Sequence, residues 1–313
     1  MKILFPTVLL AACAQPALAC DLCAIYAATE AQGSGSGFFG GVAEQFTHFG
    51  TLQDDGHKVS NTIDQHIESS VSQIFAGYNF SDNFGVQFNL PLIYREFKRP
   101  RGPVIDSGTE FGLGDVSLIG NYMVYRKLHE NYTLTWNVLG GIKFPTGNSS
   151  HLKESDVESE NGLPESGIGG HDLAHGSGSF DGILGTGIYA RWKHSLLTAG
   201  FQYAARTEGD FGHQYANDFT WAGGPGYYLA LEHTYTLALQ VLVSGQSQGK
   251  DTVHGVPDGD SAETIVYLGP QINFTWTSKL SAMMGADFPV SIANSGLQVV
   301  PDYRARAAFT WRF

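Results

Sequence analysis

The chain has 313 residues, a formal net charge of −12 and only 15% charged residues, against about 25% in an ordinary soluble domain. The acidic balance, together with the lack of a basic stripe, argues against a nucleic-acid partner. Aromatic residues make up 12% of the chain and glycine accounts for 39 residues, which is typical of a sheet that has one face in lipid and the other around a wet interior.

Residues 1–19 predict a secretory signal peptide. Lys2 precedes a short apolar run, and Ala17-Leu18-Ala19 supplies the small residues of a cleavage site. The run is shorter than the ~20 residues of a membrane-spanning helix, and no later segment has 18 consecutive apolar residues. A competing interpretation is a lipobox at Leu10-Ala11-Ala12-Cys13, which would leave Cys13 lipidated. Both routes take the chain out of the cytoplasm.

The rest of the sequence predicts twelve antiparallel strands. Because this number is even, both ends of a barrel built from them would lie on the same side of the membrane, the periplasmic side. Short turns, such as those at 81–82, 127–130 and 277–278, alternate with long polar loops, such as those at 97–111 and 145–178. The twelve expected strands cover residues 38–48, 66–80, 83–96, 112–126, 131–144, 179–193, 195–206, 217–232, 235–246, 261–276, 279–291 and 302–313.

Period-2 alternation is clear in several of these segments. In the fifth, Leu134 and Trp136 share a face opposite Thr133 and Thr135. A soluble two-layer sandwich would alternate in the same way, but it would not need a secretory route or aromatic rings at both ends of its strands. Prolines in four strands predict bulges or rim positions, and they leave ten or fourteen strands open: Pro91, Pro225, Pro270 and Pro289.

The C-terminal strand places Phe309, Trp311 and Phe313 on one face. A terminal phenylalanine in such a strand resembles the assembly signal of bacterial outer-membrane barrels. The sequence therefore predicts an all-β, up-and-down transmembrane barrel in the cell outer membrane, surrounded by outer-membrane lipid. Its expected parts are a signal peptide at 1–19, a cysteine-containing segment and tether at 20–37, and the barrel at 38–313.

Three glycine-rich blocks, at 111–116, 140–147 and 176–181, resemble the outer-membrane protein family named for the meta-pathway of phenol degradation. The likeness extends from about residue 66 to the C-terminus. The resemblance implies an outer-membrane barrel and a transporter for hydrophobic or aromatic compounds. These blocks are turn and strand motifs, so they imply no catalytic chemistry.

Cys20 and Cys23 form a C-x-x-C motif next to the predicted cleavage site. A periplasmic disulfide, metal capture and redox exchange are all consistent with this spacing. Covalent haem attachment is excluded, because Ala24 occupies the position of the required histidine. The Gly/Ser tether at 33–37 follows, so residues 20–36 could plug the barrel mouth or dock a periplasmic partner.

The longest loop contains His171, Asp172 and His175, which could bind a divalent metal. The sequence favours the simpler interpretation of a solvated, acidic surface loop, and its glycines argue against a helix there. No nucleotide-binding loop is present, and no serine-histidine pair has an identifiable third member. Neither a cofactor nor an enzymatic activity is expected.

The alternation also predicts which polar side chains face the lumen. These side chains either tune the selectivity of a pore or cross-link the interior with hydrogen bonds and ion pairs. Twelve strands lie between filled eight-stranded barrels and open sixteen-stranded ones, so a narrow or partly closed pore is expected. The predicted function is passage of a small solute, with a metal- or redox-partner-binding scaffold as the alternative. The pore-lining candidates are Arg95, Asn121, Lys143, Asp181, Arg191, Gln202, Arg206, Gln240, Arg304, Arg306 and Arg312.

Overall fold

The computed structural model describes residues 36–154 and 166–313. The described part is almost entirely antiparallel sheet, with a one-turn helix α1 (Gly170–Leu173) and a 3-10 turn at Asp210–Gly212. The strands are β1 (Gly37–Asp54), β2 (His57–Lys58), β3 (His66–Asn79), β4 (Phe84–Arg101), β5 (Val104–Leu113), β6 (Ser117–Leu128), β7 (Tyr132–Lys143), β8 (Asp181–Trp192), β9 (Ser195–Ala205), β10 (His213–Gln214), β11 (Asp218–Leu231), β12 (Tyr235–Gln248), β13 (Thr252–Val253), β14 (Val256–Pro257), β15 (Glu263–Trp276), β16 (Leu280–Asn294) and β17 (Leu297–Arg312).

The main sheet closes into a barrel because β17 pairs with β1 over most of their lengths. Each long strand otherwise pairs with its neighbours in sequence. The two-residue β2 folds back on the end of β1 and is not a separate wall strand. Strands β5 and β6 both pair with β4 and are the two halves of one wall strand. Twelve strands therefore form the wall. The predicted strand number is confirmed. The remaining short strands, β10, β13 and β14, form a small separate sheet.

Pro91 explains why the fourth wall strand is split. On one side it pairs with Gln73 of β3. On the other side β5 ends opposite Leu92 and β6 begins opposite Asn89, so residues 114–116 lie against a proline that has no N–H to donate. The expected long loop at 97–111 is wrong, because β4 and β5 continue as a hairpin with a short turn between Arg101 and Val104.

The other three prolines also coincide with irregular pairing, as the sequence predicts. Pairing of β11 with β12 is interrupted at Pro225, and pairing of β15 with β16 is interrupted at Pro270. A register shift accompanies Pro289. The missing N–H groups therefore produce local gaps in the ladders, and the number of wall strands is unaffected.

Apolar and aromatic side chains cover the outside of the wall, and aromatic rings are exposed towards both ends of the strands. Examples are Phe84 and Trp192 at the end with the short turns, and Tyr94 and Phe111 at the other end. The end with short turns and the C-terminus is the periplasmic one in an outer-membrane barrel. No helix in the two described ranges is long and apolar enough to cross a membrane.

Candidate solute pathway in the barrel lumen

The long segment between β7 and β8 folds into the extracellular half of the lumen. Ile168 and Leu173 have no exposed surface, and they form an apolar cluster with Leu52, Phe97 and Val299. The sequence favoured a solvated surface loop without a helix for this region. That interpretation is wrong for residues 166–179, which we call the inward segment. Burial of its apolar side chains against the wall is favourable in free energy, and this offsets the cost of removing its polar backbone from water.

The two ends of this excursion meet at the barrel wall. The backbone N–H groups of His175 and Gly176 both donate to the carbonyl of Asn148, at 3.0 and 3.1 Å. Gly147 and Gly176 approach so closely that a Cβ on Gly176 would lie 2.6 Å from the backbone of Gly147. The chain therefore leaves the wall after Asn148 and returns to it at Gly176, next to the point of departure; we call the intervening sequence the excursion.

Polar contacts from a wall strand and from two residues outside the wall strands hold the inward segment. Arg95 donates to the carbonyl of Ala174 at 2.8 Å, and Tyr215 donates to the carbonyl of His171 at 3.0 Å. The backbone N–H of Gly167 donates to Gln65 at 3.0 Å. These bonds satisfy backbone groups that would otherwise be buried without partners.

Arg99 is the largest buried anchor, with its guanidinium between the wall and the inward segment. It donates to Glu154 at 2.6 Å, to Asp106 at 3.2 Å and to the carbonyl of Ile168 at 3.4 Å. Partial burial of the Glu154 carboxyl favours its neutral form. The guanidinium of Arg99, with help from Arg101 and His151, outweighs that effect and lowers the pKa of Glu154.

A second buried network ties the base of the excursion to the wall. Lys143 lies 2.6 Å from Asp115 and 2.7 Å from Asp181, and it also donates to Ser177. Asp115 accepts the backbone N–H of Ser177 at 2.9 Å, and Arg206 lies 3.0 Å from Asp181. Each buried charge in this network therefore has an opposite charge or a donor beside it.

A cavity of about 70 Å³ lies between the inward segment and the wall. Its apolar side includes Ile67, Val71 and Ile93, and its polar side includes Arg95 and Glu263. Glu263 is only 1% exposed, and its Oε1 has no hydrogen-bond partner among the described residues. We call this space the upper cavity.

A larger cavity of about 460 Å³ occupies the periplasmic half of the lumen. Hydroxyl and amide groups such as Thr135, Tyr228 and Gln240 alternate there with apolar groups such as Met123 and Leu242. We call this space the lower cavity. Within the part of the chain that the structure describes, a small space therefore lies beside the inward segment and a larger one lies in the periplasmic half of the lumen.

The predicted lumen residues occupy several different environments. Arg95 and Arg206 line the upper cavity, and Gln240 and Arg306 line the lower one. Arg304 and Arg306 both bind the fully buried Asp287, at 2.9 and 2.6 Å. Their effect on selectivity stays a prediction.

The other predicted lumen residues contact wall or turn residues. Gln202 is buried, and Asn121 accepts a hydrogen bond from Asn137 at 3.5 Å. Arg191 and Arg312 donate to backbone carbonyls in the periplasmic turns, at Lys193 and Ser278. Lys143 and Asp181 belong to the buried network at the base of the excursion. Five of these six residues therefore contact other wall or turn residues and Gln202 is buried, while their effect on selectivity stays a prediction.

The histidines of the longest loop lie inside the barrel. His175 is 5% exposed, and the ring of His171 stacks at 6.2 Å on that of His213. Within the part of the chain that the structure describes, no group of three His, Cys, Asp or Glu side chains could hold a metal ion. Cys20, Cys23 and the predicted plug lie outside the described residues, apart from Ser36.

Sequence reasoning missed Glu263 and Tyr215 as lumen residues. Glu263 lies in the tenth predicted strand, 261–276, and is the first residue of β15, so the sequence placed it in the wall without indicating that its carboxyl group is buried. Only the inward segment, which comes from a distant part of the chain, covers the carboxyl group and buries it. No local pattern in the sequence signals this burial.

Comparison with known proteins identifies the fold. No family model and no curated protein matches the sequence. The structure is similar to that of an outer membrane channel from Pseudomonas putida F1, with 18% identity and a TM-score of 0.61 over 89% of this chain and 96% of that one. It is less similar to the translocator domain of the autotransporter NalP from Neisseria meningitidis, with 12% identity and a TM-score of 0.42 over 91% and 92% of the two chains.

The closed twelve-stranded wall and the first of these likenesses define the class of protein. This chain has the fold of a bacterial outer-membrane β-barrel, and its location is the outer membrane. The sequence resemblance to the phenol-degradation family stays a prediction, because no family model matches.

Proposed function

We propose that this protein is an outer-membrane channel for a small solute with a substantial apolar part, closed at rest by its own inward segment. The single observation that carries the proposal is the pair of cavities along the lumen, with the larger one on the periplasmic side. A barrel whose interior served only as a scaffold would gain stability by filling that space with side chains.

The linings of the two cavities support a solute of mixed character. Both cavities combine aliphatic side chains with a few fixed polar groups, which is typical of binding sites for small organic molecules. The similar structure from Pseudomonas putida F1 is itself named an outer membrane channel, which agrees with the proposal. We assign no catalytic step to the lumen. A periplasmic partner for the N-terminal segment stays a prediction.

The inward segment supplies the barrier in this proposal. It fills the extracellular half of the lumen, and it joins the wall at one narrow neck beside Asn148 and Gly176. Passage therefore requires this excursion to move, and its removal should leave the wall itself intact because all wall strands lie outside it.

Planar-bilayer recording on the full mature chain tests the proposal. Replacing residues 149–174 with a short Gly-Ser turn should convert a mostly closed barrel into one with stable, larger conductance steps. Matched recordings on Lys153→Ala, an exposed substitution within the excursion, control for the reconstitution. If the turn-replaced barrel is folded by circular dichroism yet conducts no more than the parent, the inward segment is not the barrier. If neither barrel passes ions or small solutes in vesicle-swelling assays, the channel function is refuted.

A further inference from the structure

Glu263 is a buried carboxyl group that none of the contacts described above explains. It lies at the extracellular end of β15, is 1% exposed, and faces the upper cavity. Its Oε1 has no hydrogen-bond partner among the described residues. A buried carboxyl oxygen without a partner costs free energy, unless a ligand or water supplies a donor.

A second carboxylate faces the same cavity from the opposite side. Asp172 belongs to α1 of the inward segment, and it is near enough for its charge to repel that of Glu263. Asp172 accepts the backbone N–H of Gly169 at 2.8 Å, and Nε2 of His171 lies 3.4 Å from its other carboxyl oxygen. One acidic group on the wall and one on the inward segment therefore share a single small space.

Among the described residues that line the upper cavity, acidic groups outnumber arginines by three to two. The cations near it are balanced within the buried networks, since Lys143 and Arg206 share Asp181 and each has a further carboxylate. Arg95 is the third cation, and it donates to the carbonyl of Ala174. Besides Arg95 and Arg206, the described lining includes His171 and His175, and its acidic groups are Asp115, Asp172 and Glu263.

The remaining wall of the cavity is apolar. Ile67, Val71 and Val299 lie along it, with Phe49 beside them. A volume of about 70 Å³ is several times the space that a water molecule needs. A ligand of a few heavy atoms therefore fits, with a polar end against the carboxylates and an alkyl end against the aliphatic side chains.

We propose that the upper cavity is a binding site for a small organic ammonium ion, with Glu263 and Asp172 as its acceptors. The ammonium group donates to Oε1 of Glu263 and stabilises the ionised form of this carboxyl group, which burial and the nearby charge of Asp172 otherwise oppose. The alkyl body packs against Ile67, Val71 and Val299. The inference deepens the proposed function and rests on it, because it names the class of solute that the closed channel holds.

The site also involves the barrier itself. Asp172 lies on the inward segment and Glu263 lies on the wall, so a bound cation bridges the two. The net charge of −12 favours the approach of cations to the protein. A neutral molecule of the same shape gains the apolar contacts, but it forms no charge-assisted hydrogen bond with either carboxyl group.

Titration calorimetry on the full mature chain in a non-ionic detergent tests the inference. The probes are butylammonium and its neutral counterpart 1-butanol. Glu263→Gln keeps the shape of the side chain, and Glu208→Gln is the matched control on an exposed extracellular residue. Butylammonium should bind the parent and the control alike, and Glu263→Gln should weaken that binding by about tenfold or more, the usual effect of losing one charge-assisted hydrogen bond. Asp172→Asn should weaken it by a smaller factor.

Three results would overturn the inference. They are absence of butylammonium binding to the folded parent, equal binding by Glu263→Gln, and equal binding of 1-butanol with the same sensitivity to Glu263→Gln. The last result would assign a neutral hydrogen-bond donor to the site. Calorimetry reports binding whether or not the barrel conducts, whereas conductance and vesicle swelling report passage. Failure of the site and failure of the channel function therefore give different results.

Discussion

The two halves of the lumen have the same wall pattern and opposite packing. In the extracellular half, the inward segment fills the space, and buried groups such as Arg99 and Lys143 have charged partners within about 3 Å. In the periplasmic half, groups such as Thr135 and Tyr228 line a cavity of about 460 Å³. Alternation along a strand decides which side chains face inward, but it does not decide whether the space between them is filled.

This difference has an energetic consequence. A polar group buried under the inward segment has lost its water and depends on its protein partners, so removing one partner exposes the full desolvation cost of the other. A polar group beside the lower cavity has room for water as a replacement partner. Equivalent substitutions should therefore have large effects in the extracellular half and small effects in the periplasmic half.

The largest effect is expected for Lys143→Met. This change removes the cation between Asp115 and Asp181 and leaves buried carboxylates with fewer partners. We expect the free energy of unfolding to fall by about 3–5 kcal/mol, as measured by urea titration in lipid vesicles. Lys58→Met, at an exposed position, should change it by less than about 0.5 kcal/mol. Similar losses in both variants would show that the effect does not come from the buried network around Lys143.

Arg99→Leu should weaken the barrier rather than the wall. The variant loses the contacts to Asp106, Glu154 and the carbonyl of Ile168, while the aliphatic replacement still packs. We expect the fraction of time in conducting states to rise by about tenfold or more. Arg101→Leu removes a guanidinium that is 49% exposed and lies farther from the same carboxylates. A comparable rise in that control would show that general loss of positive charge is responsible.

The Arg99–Glu154 contact also predicts a pH dependence. Because the pKa of Glu154 is lowered in the folded protein, this carboxylate stabilises the closed state above its ordinary pKa of about 4.3 and loses that effect as the pH falls through the lowered value. Conductance should therefore stay constant from neutral pH to about pH 5 and rise in more acidic solution. Glu154→Gln should already conduct more at neutral pH and should lack most of the acidic rise. A parent-like acidic rise in that variant would assign the effect to another group.

The smallest effect is expected for Thr135→Val in the lower cavity. The side chains have nearly the same shape, and the lost hydroxyl faces a space large enough for water. The free energy of unfolding should change by less than about 0.5 kcal/mol, measured as for Lys143→Met. A loss above about 1 kcal/mol would mean that water does not replace the lost hydroxyl group. Polar groups in the lower cavity would then depend on protein partners, as those in the extracellular half do.

Much of the wall could be predicted from the sequence, because strand features are local. The alternation in residues 131–144 and the short turn at 277–278 gave the correct strands and the correct end of the barrel. The prolines marked real gaps in the ladders, as at Pro225. The loop expected at 97–111 was wrong because its polar composition masked a paired hairpin.

The sequence by itself determined the antiparallel barrel, its approximate number of strands and the inward face of residues such as Lys143. These properties follow from period-2 patterning and turn chemistry, which operate over a few residues. Only the tertiary structure decided that the longest loop lies inside the barrel, that it buries Glu263 and that it divides the lumen into a filled and an open half. These outcomes depend on contacts between distant parts of the chain, such as Ile168 and Leu173 against Leu52, Phe97 and Val299. No local pattern encodes contacts of that kind.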